Sequence, residues 1–301
     1  MLIIFEQVFT LFAFALAGYA LSKFRIVKSD HTQILSGILV YVFSTCNVFK
    51  TFVANFTVEC ISQRWYLILV SAIVLVILAV AARFGSTLFA KEKYVRQSYE
   101  YTLVVPNYGY VGYALCESLL GLAALLDMVI FALPLTAYVY MKGYPMLTKS
   151  GMSLKKLFNA NIIAMLIGAV IGLSGIRMPE LVMNIAEKSS SCMGPVSMLL
   201  MGITISEFDL IKLVNDKKVY ITSILRLVVI PILVGFALKP FCPLEVVQIA
   251  VLLYAMPCGL NTIVFPKLVG ERCELGASWA TVSNILACAT IPMVLALFGI
   301  G

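Results

Sequence analysis

Two short stretches hold the residues whose types and spacing best suit chemistry: Pro106-Asn107-Tyr108-Gly109 and Pro257-Cys258-Gly259-Leu260-Asn261. Each falls inside an apolar run that would otherwise read as one helix. Proline removes a backbone donor and clashes with the preceding turn, while glycine permits an unwound path. An interruption of this kind creates a half-helix N-terminus, whose free N–H groups and positive dipole end suit an anion. In lipid, open backbone survives only where protein or water satisfies it. Paired interruptions at corresponding places in two halves of a chain are therefore the best pointer to a transport site. The plainer reading is a proline kink, and it serves for Pro134, Pro195, Pro231 and Pro292. For the matched pair, the pairing itself favours a binding role. Asn107 and Asn261 adjoin the breaks and place neutral amides beside them.

Other polar residues fall inside apolar runs. Asn47, Ser283 and Asn284 either line a cavity or bond between helices. Arg226 stands about 12 Å along its helix from Lys218, at about 1.5 Å per residue. A guanidinium at that depth is costly unless paired or hydrated. Three roles are open to it: attracting an anion, pairing with Glu117 or Asp127, or snorkelling inward. Enzyme chemistry finds little support. The lone His31 lies in a basic loop, no H-E-x-x-H occurs, and the eight cysteines are scattered without a C-x-x-C pair. We expect no catalytic residue, metal or cofactor.

The elements that must position these residues follow from composition. Hydrophobic residues make up 61% of the 301, charged residues 12%, and mean hydropathy is +1.00. An ordinary soluble domain is roughly 25% charged, so apolar surface on this scale needs lipid to cover it. At about 20 residues per crossing, spans are expected near 2–22, 33–55, 65–82, 101–120, 122–141, 157–176, 190–206, 218–238, 246–266 and 275–300. The N-terminus lacks a basic leader and a cleavage site, so the first span is expected to be retained. Of the 22 Lys and Arg, sixteen fall in the loops after spans 1, 3, 5, 7 and 9, and four in the loops between. The net charge of +7 thus reads as a topology signal rather than a nucleic-acid surface. Basic loops stay in the cytoplasm, which places both termini outside the cell membrane.

The second half repeats the first weakly. Val105-Pro106-Asn107 matches Met256-Pro257-Cys258 at an offset of 151, and Gly18 with Leu21 matches Gly168 with Ile171 at 150. A duplicated unit with an odd number of crossings enters the membrane in opposite directions. The expected fold is therefore all-α and integral to the membrane: ten transmembrane helices as two inverted five-helix repeats, residues 1–143 and 154–301, joined by a short linker at 144–153.

At these residues the sequence resembles the auxin efflux carrier family, whose bacterial members are described as malate or malonate permeases. Asn107-Tyr108-Gly109-Tyr110-Val111-Gly112-Tyr113-Ala114-Leu115 is similar to the family's N-x-G-[FY]-x-G-x-P-L stretch. Met256-Pro257, Asn261, Ala277-Ser278, Ser283 and Pro292 match its ninth and tenth helices. Ala114 departs from the usual proline, and Ser44-Thr45-Cys46-Asn47 replaces the usual Leu-Pro of helix 2. The resemblance implies that broken helices 4 and 9 cross in a transport domain of helices 3–5 and 8–10. It also implies a scaffold of helices 1, 2, 6 and 7 that forms a homodimer contact. The function expected is secondary transport of a small organic anion, a carboxylate, by alternating access. Its binding residues would be Asn47, Pro106, Asn107, Tyr108, Gly109, Arg226, Pro257, Cys258, Gly259 and Asn261. The competing expectations are a sodium-coupled symporter of the bile-acid-transporter type and a membrane sensor that binds without transporting.

Overall fold

In the computed structural model of the chain, residues 2–28, 31–149 and 160–300 are described, and every regular element among them is helical. In order these are α1 (Leu2–Lys23), α2 (His31–Asn55), α3 (Val58–Leu88) and α4 (Lys93–Val104, then 108–120). After a turn at Gly121, where φ is +84°, comes α5 (Ala123–Phe131 and Leu133–Leu147). Then follow α6 (Ala160–Ser174), α7 (Glu180–Ser206), a short helical segment at Leu210–Val214, α8 (Lys217–Leu238), α9 (Leu244–Tyr254, then Asn261–Leu268) and α10 (Glu274–Leu297). Residues 150–153 of the expected linker, with Lys155 and Lys156, lie outside the described residues.

Among the described residues, α2, α3, α7, α8 and α10 are long and apolar enough to cross a membrane as continuous helices. The two parts of α5, bent by 42°, make a sixth if counted together. Helices α4 and α9 present no continuous run because each is interrupted. Several elements extend past the apolar windows expected from sequence, since their polar ends continue the helix. Helix α3 begins at Val58, where the Thr57 side chain accepts from the Cys60 N–H, rather than at 65. Asp216 caps α8 in the same way, accepting from the Lys218 N–H. Side-chain caps of this kind satisfy the orphan donors of a helix start.

Burial sorts the helices into outer and central. On α3, Leu69, Ile73, Val76, Ile77 and Val80 are 49–61% exposed. Such a continuous apolar face has no place in water. On α9, no residue from Ile249 to Met256 exceeds 2% exposure. A helix apolar on all sides belongs at the centre of the structure, and the interrupted α9 occupies that place.

Small residues let two pairs of outer helices meet backbone to backbone. A Cβ added at Gly202 of α7 would fall 1.9 Å from the Ala15 carbonyl oxygen of α1, and one at Gly18 of α1 would fall 2.2 Å from the Leu199 carbonyl oxygen. Gly168 of α6 stands likewise against α2, its added Cβ 2.9 Å from the Phe49 carbonyl oxygen. Close approach through glycine is how helices gain packing energy where lipid removes the hydrophobic drive. Gly202→Val should therefore lower the melting temperature of the detergent-solubilised protein, at an overpacking cost of about 1–3 kcal/mol or more. Gly85→Ala in α3, where an added Cβ meets nothing within 4 Å, should not lower it. Equal melting of the two variants would show that α1 and α7 are not in this close contact.

Candidate functional site

Proline disfavours a helical conformation in the residue before it, and Val105 is accordingly extended, at φ −103° and ψ 109°. The first half of α4 stops at Val104, and the first half of α9 stops at Tyr254, three residues before Pro257. The two unwound stretches lie side by side. Pro106 and Cys258 form an antiparallel bridge, in which the Asn107 N–H donates to the Pro257 carbonyl at 2.8 Å. The Cys258 N–H donates to Ser283 Oγ of α10 at 3.1 Å. Each break thus supplies part of what the other lacks. Gly259 permits the approach, for its added Cβ would lie 3.1 Å from the Val105 carbonyl oxygen.

Beside the breaks lies a cavity with about 50 Å³ of room for water-sized atoms. Pro106, Asn107, Tyr108, Gly109, Gly259 and Asn261 line it, with Asn47 on the facing wall. It adjoins a larger cavity of about 1090 Å³ that shares Asn47, Gly109, Tyr110 and Tyr113 and extends past Lys50, Glu117 and Glu187. Asn107 is 1% exposed, and neither its Nδ2 nor its Oδ1 has a hydrogen-bond partner. An orphaned buried amide costs about 1–3 kcal/mol, so its presence in a cavity wall calls for a ligand or water. Asn261 is engaged: its Nδ2 donates to Tyr101 Oη at 3.0 Å, and Tyr110 Oη donates to its Oδ1 at 3.5 Å. Asn47 accepts from Ser190 Oγ of α7 at 2.8 Å.

The expected residues divide into three groups. Asn47, Pro106, Asn107, Tyr108, Gly109, Gly259 and Asn261 meet at the small cavity. Pro257 and Cys258 build the bridge without lining that cavity. Arg226 lines neither cavity. It is fully buried behind the break, where its Nη1 donates to the Leu103 carbonyl at 3.4 Å. Asp127, one of the expected partners of Arg226, instead accepts from Arg64 Nε at 2.6 Å, and Glu117 lines the larger cavity.

Sequence reasoning missed a polar chain that runs behind Tyr140, a residue lining the small cavity. Asn161 of α6 accepts from Ser44 Oγ of α2 at 2.9 Å, and Ser44 Oγ lies 2.6 Å from Tyr140 Oη of α5. With the Ser44 proton given to Asn161, Tyr140 is the donor to Ser44. The Val40 carbonyl, inside a π-helical turn at Leu39–Ser44, accepts from Thr45 Oγ1 at 2.9 Å and Asn161 Nδ2 at 3.3 Å. Tyr108 Oη lies 2.9 Å from Thr136 Oγ1. Ser44 and Asn161, polar within apolar spans, were the available signal. The π-helical geometry left none.

A helical protein with lipid-facing apolar helices and a polar cavity built on two interrupted ones has the architecture of a multi-pass membrane transporter. The chain matches the family model described as membrane transport protein over residues 3–157 and 150–295. It belongs to that family, the auxin efflux carriers, which is a transporter family and not an enzymatic one. No individual curated protein matches it at a significant level.

The two asparagines should respond differently to truncation. Asn107→Ala removes an orphan, so the empty protein should melt at the same temperature or higher while uptake into liposomes falls sharply. Asn261→Ala strands Tyr101 Oη and should cost about 1–3 kcal/mol of stability along with uptake. Wild-type uptake in both variants would move the site elsewhere.

Proposed function

We propose that the protein carries a small organic anion, a carboxylate, across the cell membrane by alternating access, holding it between the two breaks. The observation that carries this reading is the buried, unpartnered Asn107 amide in the wall of the small cavity. The second halves of α4 and α9 begin at that cavity, with Tyr108, Gly109 and Asn261 in its lining. Each N-terminus contributes about half a positive charge and first-turn N–H groups without intrahelical partners. A carboxylate accepts from these donors, from Asn107 Nδ2 and from the surrounding tyrosine hydroxyls. No Asp or Glu lines the small cavity, which disfavours the sodium-symporter alternative. The family resemblance also favours a carboxylate, since its bacterial members are described as malate or malonate permeases.

In this reading α1 to α10 cross the membrane ten times as two inverted five-helix repeats with both termini outside. Gly18 of α1 packs on α7, and Gly168 of α6 packs on α2. These are equivalent contacts if α1 corresponds to α6 and α2 to α7. Helices α1, α2, α6 and α7 form the scaffold and the dimer contact, and α3–α5 with α8–α10 form the moving domain. The larger cavity opens at the Asn55 and Glu187 end, which the basic loops assign to the outside. The opposite end is closed where Lys267 of α9 donates to both Glu207 oxygens at the end of α7, at 2.8 and 2.6 Å. Gln33 of α2 adds a bond to the Leu268 carbonyl at 3.3 Å.

A liposome uptake screen across mono- and dicarboxylates, neutral solutes and cations is the primary test. Carboxylates should move and compete with one another. Transport of a neutral or cationic solute alone would defeat the anion reading, and binding without flux would make the protein a sensor. Cysteines placed at Lys149 and Arg177 should label from opposite membrane faces; labelling from the same face would remove the inverted repeat.

The Lys267–Glu207 pair predicts a shift in conformation. Glu207→Gln should speed labelling of Cys273, which is 5% exposed, by an impermeant maleimide applied to the cytoplasmic face. The charge-swapped double variant Glu207→Lys with Lys267→Glu should slow it again. Unchanged labelling in both variants would show that this pair does not close the cytoplasmic side.

A further inference from the structure

We propose that Arg226 is a built-in cation standing where a coupling sodium ion would otherwise bind, so that transport needs no sodium. This rests on the anion-carrier reading above and adds its ion coupling. Arg226 is fully buried, and among the described residues it pairs with no carboxylate. Its Nε and Nη2 have no hydrogen-bond partner. A guanidinium stays protonated, and a buried charge without compensation is costly. The compensation lies in the backbone.

Nη1 of Arg226 donates to the carbonyl of Leu103, in the last turn of the first half of α4. The guanidinium carbon stands 5.6 Å from the ring centre of Tyr254, the final residue of the first half of α9. The charge therefore stands on a last-turn carbonyl of one half-helix and against the ring of the last residue of the other. Each half-helix C-terminus carries about half a negative charge and last-turn carbonyls without intrahelical partners. Two half-charges of that sign match the single positive charge of a guanidinium placed beside them. In transporters with interrupted helices, such carbonyl ends hold the coupling sodium ion or proton. A π-helical turn at Leu225–Val229 carries Arg226 in this chain, and its side chain takes that role covalently.

The charges around the break then separate into two sides. The C-terminal ends are neutralised by Arg226, and the N-terminal ends remain positive toward the cavity that Arg226 does not line. Arg226 is thus a positioning residue. It holds the two C-terminal ends together and leaves the substrate facing unopposed positive dipoles. Because this cation never dissociates, substrate affinity carries no mass-action dependence on sodium.

The test uses the full chain, with malonate as the probe for uptake and the substrate-free protein for melting, each in sodium chloride and in N-methylglucamine chloride. Wild type should show uptake equal within about twofold and the same melting temperature in both salts. Arg226→Lys should keep that sodium independence. Arg226→Met should lose about tenfold or more of the uptake and gain a melting temperature that rises with sodium, a response that a merely structural arginine would not produce. If sodium accelerates wild-type uptake or raises wild-type melting by several degrees, the built-in cation is wrong while the anion reading stands. If neither malonate nor any other carboxylate of the uptake screen moves in either salt, the anion reading fails, and the substrate-free melting still decides the role of Arg226. Should Arg226→Met not fold, wild type and Arg226→Lys carry the same decision.

Discussion

The structure turns on one backbone hydrogen bond, from the Asn107 N–H to the Pro257 carbonyl, inside the short bridge between Pro106 and Cys258. A protein interior surrounded by lipid has no bulk water to satisfy loose peptide groups, and each unsatisfied one costs several kcal/mol. A single broken helix would be expensive on its own. Two broken helices laid against each other exchange donors and acceptors across the gap. That requirement explains why α9 lies at the centre, why Gly259 lacks a side chain where the strands approach, and why Ser283 of α10 points at the Cys258 N–H.

Departures from regular helix geometry recur around this bridge. Four π-helical turns occur among the described residues, at Leu39–Ser44, Tyr108–Gly112, Val139–Gly143 and Leu225–Val229. They carry Ser44, Tyr108, Tyr140 and Arg226. A π turn inserts an extra residue and loosens local backbone bonding, and it is frequent at functional sites. In the first of them the Val40 carbonyl accepts from Thr45 Oγ1 of the same helix and from Asn161 Nδ2 of α6. At Asn107 the whole side-chain amide is left without a partner. A buried amide with both of its polar atoms unpartnered in a cavity wall is the mark of a site that gives up stability for binding.

Packing quality also differs across the molecule in a way that suits movement. Glycine-mediated contacts join α1 to α7 and α6 to α2 at backbone distance, leaving little freedom between those helices. Links from this group to the rest include discrete polar contacts: Lys267 with Glu207, Gln33 with the Leu268 carbonyl, and Tyr140 with Ser44. Polar links of this size break and reform at modest cost, whereas interdigitated backbones do not. The proposed division into scaffold and moving domain follows that contrast.

The sequence by itself determined the membrane class, the approximate helical runs and the two breaks, because these depend on local covalent chemistry. Proline has no N–H whatever its surroundings, glycine has no Cβ, and a long apolar run needs lipid. The family was legible for the same reason, in the residues around Asn107 and Met256-Pro257. Tertiary structure decided the rest. Asn107 and Asn261 read alike as amides beside a break, yet one is orphaned and the other is bonded to Tyr101 and Tyr110. Arg226 had three open roles in the sequence, and only the fold set it behind the bridge at the ends of two half-helices. Asn161 bonds to Ser44 and to the Val40 carbonyl at a π turn that no residue pattern announced. Each of these outcomes depends on which groups meet across more than a hundred residues of chain, and composition and spacing carry no record of that meeting.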